Sequence, residues 1–320
     1  MINYNPTDDI DISFNSYVKE RERVQSKHLE GGIPDYAFAS DYAIRQKIKA
    51  LPGVYPFFKA LTATYVPRHK QQLNLSALKV GADQYPEIYK MTAECAGILG
   101  IGMPTVYILP NMAVLNAYTI ATDDEAPIIV LHSSIVERFT LDELKTIIGH
   151  ECGHIHNNHG IYSIAVQTML DQGMNIPIIS QILSALTIPV RLMFMAWNRA
   201  AEVTSDRAGM ICANDPMDIL KADVKLMHGG MIDSDEANIE AALKQYDILK
   251  KTPVRLLELG STHPTTVRRL YADLEFLNSE ILYKWRPEWR KPGMELIDKQ
   301  ELDTRCEKYI SVLRSGNKNE

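Results

Sequence analysis

Apolar residues recur at helical spacing along most of the chain, and only between residues 105 and 132 do they fall into short β-rich runs. Asp41–Leu51 has helical periodicity and stops at Pro52-Gly53, and Tyr55–Tyr65 predicts a second helix closed by Pro67. Pro86 suits a first helical turn, and Ile88, Met91, Cys95, Ile98 and Leu99 make a core-facing stripe that ends at Gly100. Thr105–Leu109, Asn116–Ala121 and Pro127–His132 predict a small sheet, interrupted by Pro110-Asn111 and Asp123-Asp124. Helices follow over Ser133–Arg138, Leu141–Asn157, Arg191–Ala213, Asp218–Leu226, Glu236–Leu249 and Thr265–Tyr283, with one more over Asp298–Leu313. The pattern implies a mainly α protein with a small β-sheet, an α+β arrangement.

Both ends depart from this regularity. The first thirty-five residues read as a polar arm, in which Gly31, Gly32 and Pro34 stop any helix begun at Tyr17–Leu29. The tail opens on Trp285, Arg286, Trp289 and Arg290, for which intramolecular packing is the expected use. Three regions are expected: an N-terminal arm and helical region over 1–81, a central domain over 82–283, and a tail over 284–320.

Charge narrows the function. With 34 basic against 40 acidic residues the net charge is -6, so there is no basic field to hold nucleic acid. Cys95, Cys152, Cys212 and Cys306 are widely separated, which fits a reducing compartment better than a disulfide or thiolate-metal framework. The acidic, charged N-terminus has no signal-peptide core, so a cytoplasmic location is expected. Gln172–Val190 carries no charge, but Pro177, Pro189 and several polar residues dilute it. A buried or interfacial segment is expected there, able to make a peripheral membrane contact, rather than a span.

The chemistry concentrates at His150-Glu151-Cys152-Gly153-His154. Thr140 and Glu143 have capping-box spacing, and Leu144, Ile147 and Ile148 provide a buried stripe, so this H-E-x-x-H lies on a helix. Spacing of four then brings both imidazoles to one face, where they can share a zinc ion, while Glu151 can act as general base. Taken alone, the motif also fits two helix-surface histidines. Downstream, Glu202 can supply a third ligand, and Asp206, one turn later, can accept the spare N–H of a ligating histidine. His156 and His159 are expected in surface or capping roles, Cys152 as a small buried filler, and Gly149 and Gly153 as room for backbone approach beside the metal.

In order and type these residues resemble the HtpX and CAAX-prenyl-protease family, metallopeptidase family forty-eight, among the glutamate-ligand zincins. The resemblance runs from about Ala82 to Leu282 and includes H-E-x-x-H followed by E-x-x-x-D at His150, Glu151, His154, Glu202 and Asp206. It also covers Asn116-Ala117-Tyr118 and the late His263-Pro264 with Arg269. It implies a zincin-like fold, one zinc ion per chain, a peptide-binding strand edge at Asn116, Ala117 and Tyr118, an oxyanion-stabilising His263 and a site-orienting Arg269. The expected activity is zinc-dependent endopeptidase cleavage of polypeptides, in protein quality control on unfolded or damaged chains. The rival expectation is a catalytically silent member that binds such chains or a membrane partner. The hydrophobic spans that precede the catalytic helix in integral-membrane relatives have no counterpart here, which speaks against prenyl-protein processing.

Overall fold

A computed structural model describes residues 28–30, 32–122, 126–170, 188–230, 239–241, 243–244 and 266–311. The arm before residue 28, most of the uncharged 172–190 stretch, most of the helix expected over 236–249, and His263-Pro264 lie outside them. The described strands are β1 (Leu29–Glu30), β2 (Ile33–Pro34), β3 (Leu78–Lys79), β4 (Thr105–Leu109), β5 (Ala117–Ile120) and β6 (Ile128–His132). The described helices begin with α1 (Ala39–Lys49), α2 (Val54–Ser76), α3 (Pro86–Leu99), α4 (Ser133–Arg138), α5 (Leu141–His156) and α6 (Gly160–Leu170). They continue with α7 (Ile188–Cys212), α8 (Asp218–Met227), α9 (Thr266–Leu277), α10 (Glu280–Trp285) and α11 (Lys299–Ile310).

β1 and β2 form a small hairpin, and the other four strands form one sheet in the order β3-β4-β6-β5. β6 is buried along its whole length and pairs in parallel with β4 and antiparallel with β5, as its unbroken apolar run requires of an inner strand. β3 and β5 are its edge strands. Strand alternation divides the sheet between two clusters. Val106, Ile108, Ile129 and Leu131 face the main core with α3, α5 and α7, while Tyr107, Ile128 and Val130 face α2. A third cluster joins α1 and α2 to α7 through Ile48, Phe58, Phe194 and Trp197. From the tail, Leu302, Cys306 and Ile310 enter the main core, and Trp285 is buried there with its Nε1 donating to Asp35 Oδ1 at 2.7 Å. Among the described residues no helix is long and apolar enough to cross a membrane.

Two helix boundaries differ most from the sequence expectation. α2 does not end at Pro67 but runs through it to Ser76. A helix-interior proline costs about 3 kcal/mol, and Val66 and Leu73, buried on either side of it against the sheet, offset that by roughly 1.5–3 kcal/mol each. The helix expected over Thr265–Tyr283 is two helices. Ser279 accepts a hydrogen bond from Leu282 N–H at 3.4 Å and so starts α10 afresh.

Candidate active site

α5 begins with the capping box that its sequence implies. Thr140 Oγ1 accepts from Glu143 N–H at 3.3 Å, and the Glu143 carboxylate accepts from Thr140 N–H at 2.9 Å. Leu144, Ile148, Cys152 and Ile155 are buried, which anchors one face in the core and turns His150 and His154 toward α7 and the cleft. The approach of α7 depends on glycine. A Cβ at Gly149 would stand 2.5 Å from Cys212 Cβ, and one at Gly153 would stand 2.6 Å from Ala208 Cβ. The two glycines therefore admit a helix, where the sequence alone suggests that they clear space beside the metal. Close crossing of α5 and α7 carries Glu202 to the two imidazoles.

His150 Nε2 and His154 Nε2 lie 3.2 Å apart. Glu202 Oε2 is 3.8 Å from the first and Glu202 Oε1 is 3.6 Å from the second. Among the described residues this is the group of three whose donor atoms converge on a common point, all within 4.8 Å. A tetrahedral ion with bonds of about 2.0–2.1 Å spaces its ligands roughly 3.3–3.4 Å apart. The two imidazole nitrogens match that separation at 3.2 Å, and the donor set matches zinc in type, with Glu202 turning one carboxylate oxygen toward each ring from slightly further away. Neither imidazole is well solvated, with side-chain exposures of 13% and 12%.

Each donor has support behind it. Asp206, fully buried one turn beyond Glu202, lies 2.8 Å from His150 Nδ1. Arg269 Nε donates to Asp206 Oδ2 at 2.8 Å, its Nη2 donates to Oδ1, and its Nη1 stands 3.8 Å from Glu202. Burial opposes ionisation of Asp206, but Arg269 and His150 outweigh it and hold the carboxyl below its ordinary value. Burial likewise opposes protonation of His150, and there Asp206, Glu202 and Glu151 outweigh it and push the imidazole up to about 9. Burial and the neighbouring His150 push His154 well down.

Glu151 is buried and meets a residue that carries no signal in the sequence. Thr119 on β5 donates to Glu151 Oε2 at 2.7 Å. A strand position three residues after Asn116 gives no local sign of such a contact. Asp223 on α8 and Asp273 on α9 are also absent from the sequence expectation. Asp223 is 3.6 Å from Arg269 Nη2. Burial pushes its carboxyl up to about 6, aided by Asp206 against the pull of Arg269, and burial with both other aspartates pushes Asp273 well up. His159 is a correction. Expected at the surface or in a cap, it is wholly buried, with Nδ1 2.9 Å from His154 Nδ1, and His156, of which the same was expected, is buried with its Nδ1 2.9 Å from Tyr36 Oη.

A cavity of about 570 Å³ opens over the donor cluster. Asn116, Ala117 and Tyr118 line it together with Thr119, Glu151 and Arg269. Tyr118 is tied to α2 through its hydroxyl, 3.0 Å from His69 Nε2. The structure thus brings together nine of the ten residues singled out from sequence: His150, Glu151, His154, Glu202, Asp206, Arg269 and Asn116 to Tyr118. The tenth, His263, lies outside the described residues.

Comparison with known proteins agrees in kind with this geometry. The sequence profile of Peptidase family M48 matches residues 82–275. The chain is 31% identical over 211 residues to the plastoglobule-localized metallopeptidase 48, chloroplastic, of Arabidopsis thaliana, covering 65% of this chain and 60% of that protein. It is 23% identical over 231 residues to a protease HtpX homolog of Bifidobacterium longum, covering 64% of this chain and 75% of that protein. To a protease HtpX homolog of Ralstonia nicotianae it is 26% identical over 217 residues, covering 61% of this chain and 75% of that protein. No solved structure matches the chain.

Proposed function

The chain belongs to peptidase family M48, and from that premise we propose that it is a zinc-dependent endopeptidase whose metal is held by His150, His154 and Glu202. The observation that carries this reading is the convergence of three donors from two helices beside a buried carboxylate, Glu151, at the floor of a cleft. Zinc held by this donor set acts as a Lewis acid toward water and toward a peptide carbonyl. Glu151, steadied through Thr119, takes a proton from the attacking water and returns it to the leaving amine, a task worth roughly 10²–10⁴-fold in rate. Asp206 orients His150, and Arg269 braces Asp206 and Glu202 together. His263 takes the role of oxyanion donor on the strength of the family resemblance.

β5 lines the cleft as an edge strand of its sheet, which suits an extended polypeptide that adds as a further strand across Asn116, Ala117 and Tyr118. Main-chain pairing reads few side chains, which favours unfolded or damaged proteins as substrates and a quality-control role. A cytoplasmic location with a peripheral membrane contact through 172–190 completes the proposal. The test is casein cleavage by the zinc-loaded full chain and by Glu151→Gln. The variant is expected to be at least about 100-fold slower while binding zinc as tightly; equal rates would overturn Glu151 as the base.

A further inference from the structure

His159 follows a turn at the end of α5. Asn158 has a φ of 55°, in the left-handed region, and the chain doubles back so that His159 N–H donates to His154 O at 3.0 Å. The same turn sets the two imidazoles Nδ1 to Nδ1 at 2.9 Å. On its far side, His159 Nε2 lies 2.9 Å from Asp41 Oδ2. Asp41 belongs to α1 and is 1% exposed. Trp197 Nε1 donates to its Oδ1 at 2.9 Å, and Thr204 Oγ1 donates to its Oδ2 at 2.8 Å.

Proton accounting then gives this chain of groups a direction. An Nδ1–Nδ1 contact holds a single proton. If His154 Nε2 is a metal donor, that proton sits on His154 Nδ1, and His159 must accept it with an unprotonated Nδ1. His159 therefore carries its own proton on Nε2 and gives that hydrogen bond to Asp41. An ionised carboxylate can accept from His159, Trp197 and Thr204 together.

We infer that Asp41 and His159 are positioning residues for His154, forming a buried relay that fixes its tautomer and aims its Nε2 at the cation. The support comes from a segment N-terminal to the family-matched region. This rests on the proposed metal site. It mirrors what Asp206 does for His150, with one imidazole interposed, and it makes α1 part of the working site. The N-terminal region touches the same place elsewhere too: Tyr36 Oη accepts from Asn157 at 3.0 Å, Phe38 N–H donates to Thr204 Oγ1 at 3.1 Å, and Arg45 Nη1 donates to Asn157 O and, at 3.3 Å, to Asn158 O.

The test uses the full chain with zinc alone as probe. Zinc affinity is measured by competition with a chromophoric chelator in wild type, His159→Gln, Asp41→Asn, the double variant and Glu151→Gln. The visible spectrum of the cobalt-substituted proteins reports ligand geometry. Each relay variant is expected to bind zinc roughly 10–100-fold more weakly and to show an altered cobalt spectrum. The double variant should be little worse than either single one, because both break one chain of contacts. Glu151→Gln should bind as wild type does. Should His159→Gln fail to fold, Asp41→Asn, which preserves volume one contact further from the ion, decides the matter. Relay variants that are less stable without zinc but bind it with unchanged affinity and spectrum overturn this inference alone. A wild-type chain with no one-to-one zinc site overturns the metal reading along with it.

Discussion

His150 and His154 sit one turn apart on α5, yet their outward nitrogens meet different surroundings. Behind His150 the support is ionic. Asp206 touches the ring directly, and Arg269 is surrounded by Asp206, Asp223 and Glu202, with Asp273 close enough for Asp206 and Asp223 to push its carboxyl up. Behind His154 the direct contacts are hydrogen-bond donors, and the one arginine, Arg45, acts on Asp41 from further off. A second imidazole stands between the ring and Asp41, which is held by the Trp197 indole and the Thr204 hydroxyl. A buried carboxylate can thus be kept ionised by one arginine in direct contact or by several hydrogen bonds with an arginine further off. The arginine solution concentrates the cost of any loss in a single side chain, and the distributed one spreads it over several.

Removing that arginine should therefore have the largest effect. Arg269→Met takes from buried Asp206 the stronger of its two positive partners and is expected to lower stability by about 3–5 kcal/mol, measured by denaturant unfolding of the metal-free protein. A loss below about 1 kcal/mol would mean that the aspartates around it are neutral and the contrast is false. Next is Asp206→Asn, which removes direct support from His150. Zinc affinity, read by chelator competition, should fall roughly 10–100-fold and by more than in Asp41→Asn, where an imidazole intervenes. Equal losses would show that distance along the relay does not matter.

The smallest effect is a difference in pH dependence. Asp223 is raised from 3.8 to about 6, so its folded state holds the proton more tightly than the unfolded chain does. Its contribution to stability is complete below pH 3.8 and is lost as pH rises through about 6. Asp223→Asn should flatten that part of the stability-against-pH curve, as followed by thermal unfolding from pH 4 to 7. A decline as steep as in the wild type would assign it to another group.

The parts of the site legible in the sequence are those that helix geometry alone secures. A capping box, an apolar stripe and a spacing of four put His150 and His154 on one face of one helix, because 3.6 residues per turn leaves no other arrangement. Asp206 follows Glu202 on the same helix for the same reason, and the short strands around 105–132 follow from continuous apolar runs. Expectation and structure part where local rules lose to packing. Pro67 has the chemistry of a stop, but Val66 and Leu73 bury on both sides of it, and Ser279, interior to the expected helix, caps a new one.

His159 is the most instructive miss. Five residues from His154 on an ideal helix it would point elsewhere, and only the left-handed turn at Asn158 brings it back. Whether Glu202, Thr119 and Asp41 reach the same cluster does not follow from their places in the chain. Their approach depends on how closely α5 and α7 cross, where β5 lies against the cleft, and which face of α1 is buried. Spacing along one element follows from backbone geometry, whereas proximity between elements is set by the shapes of the side chains packed between them.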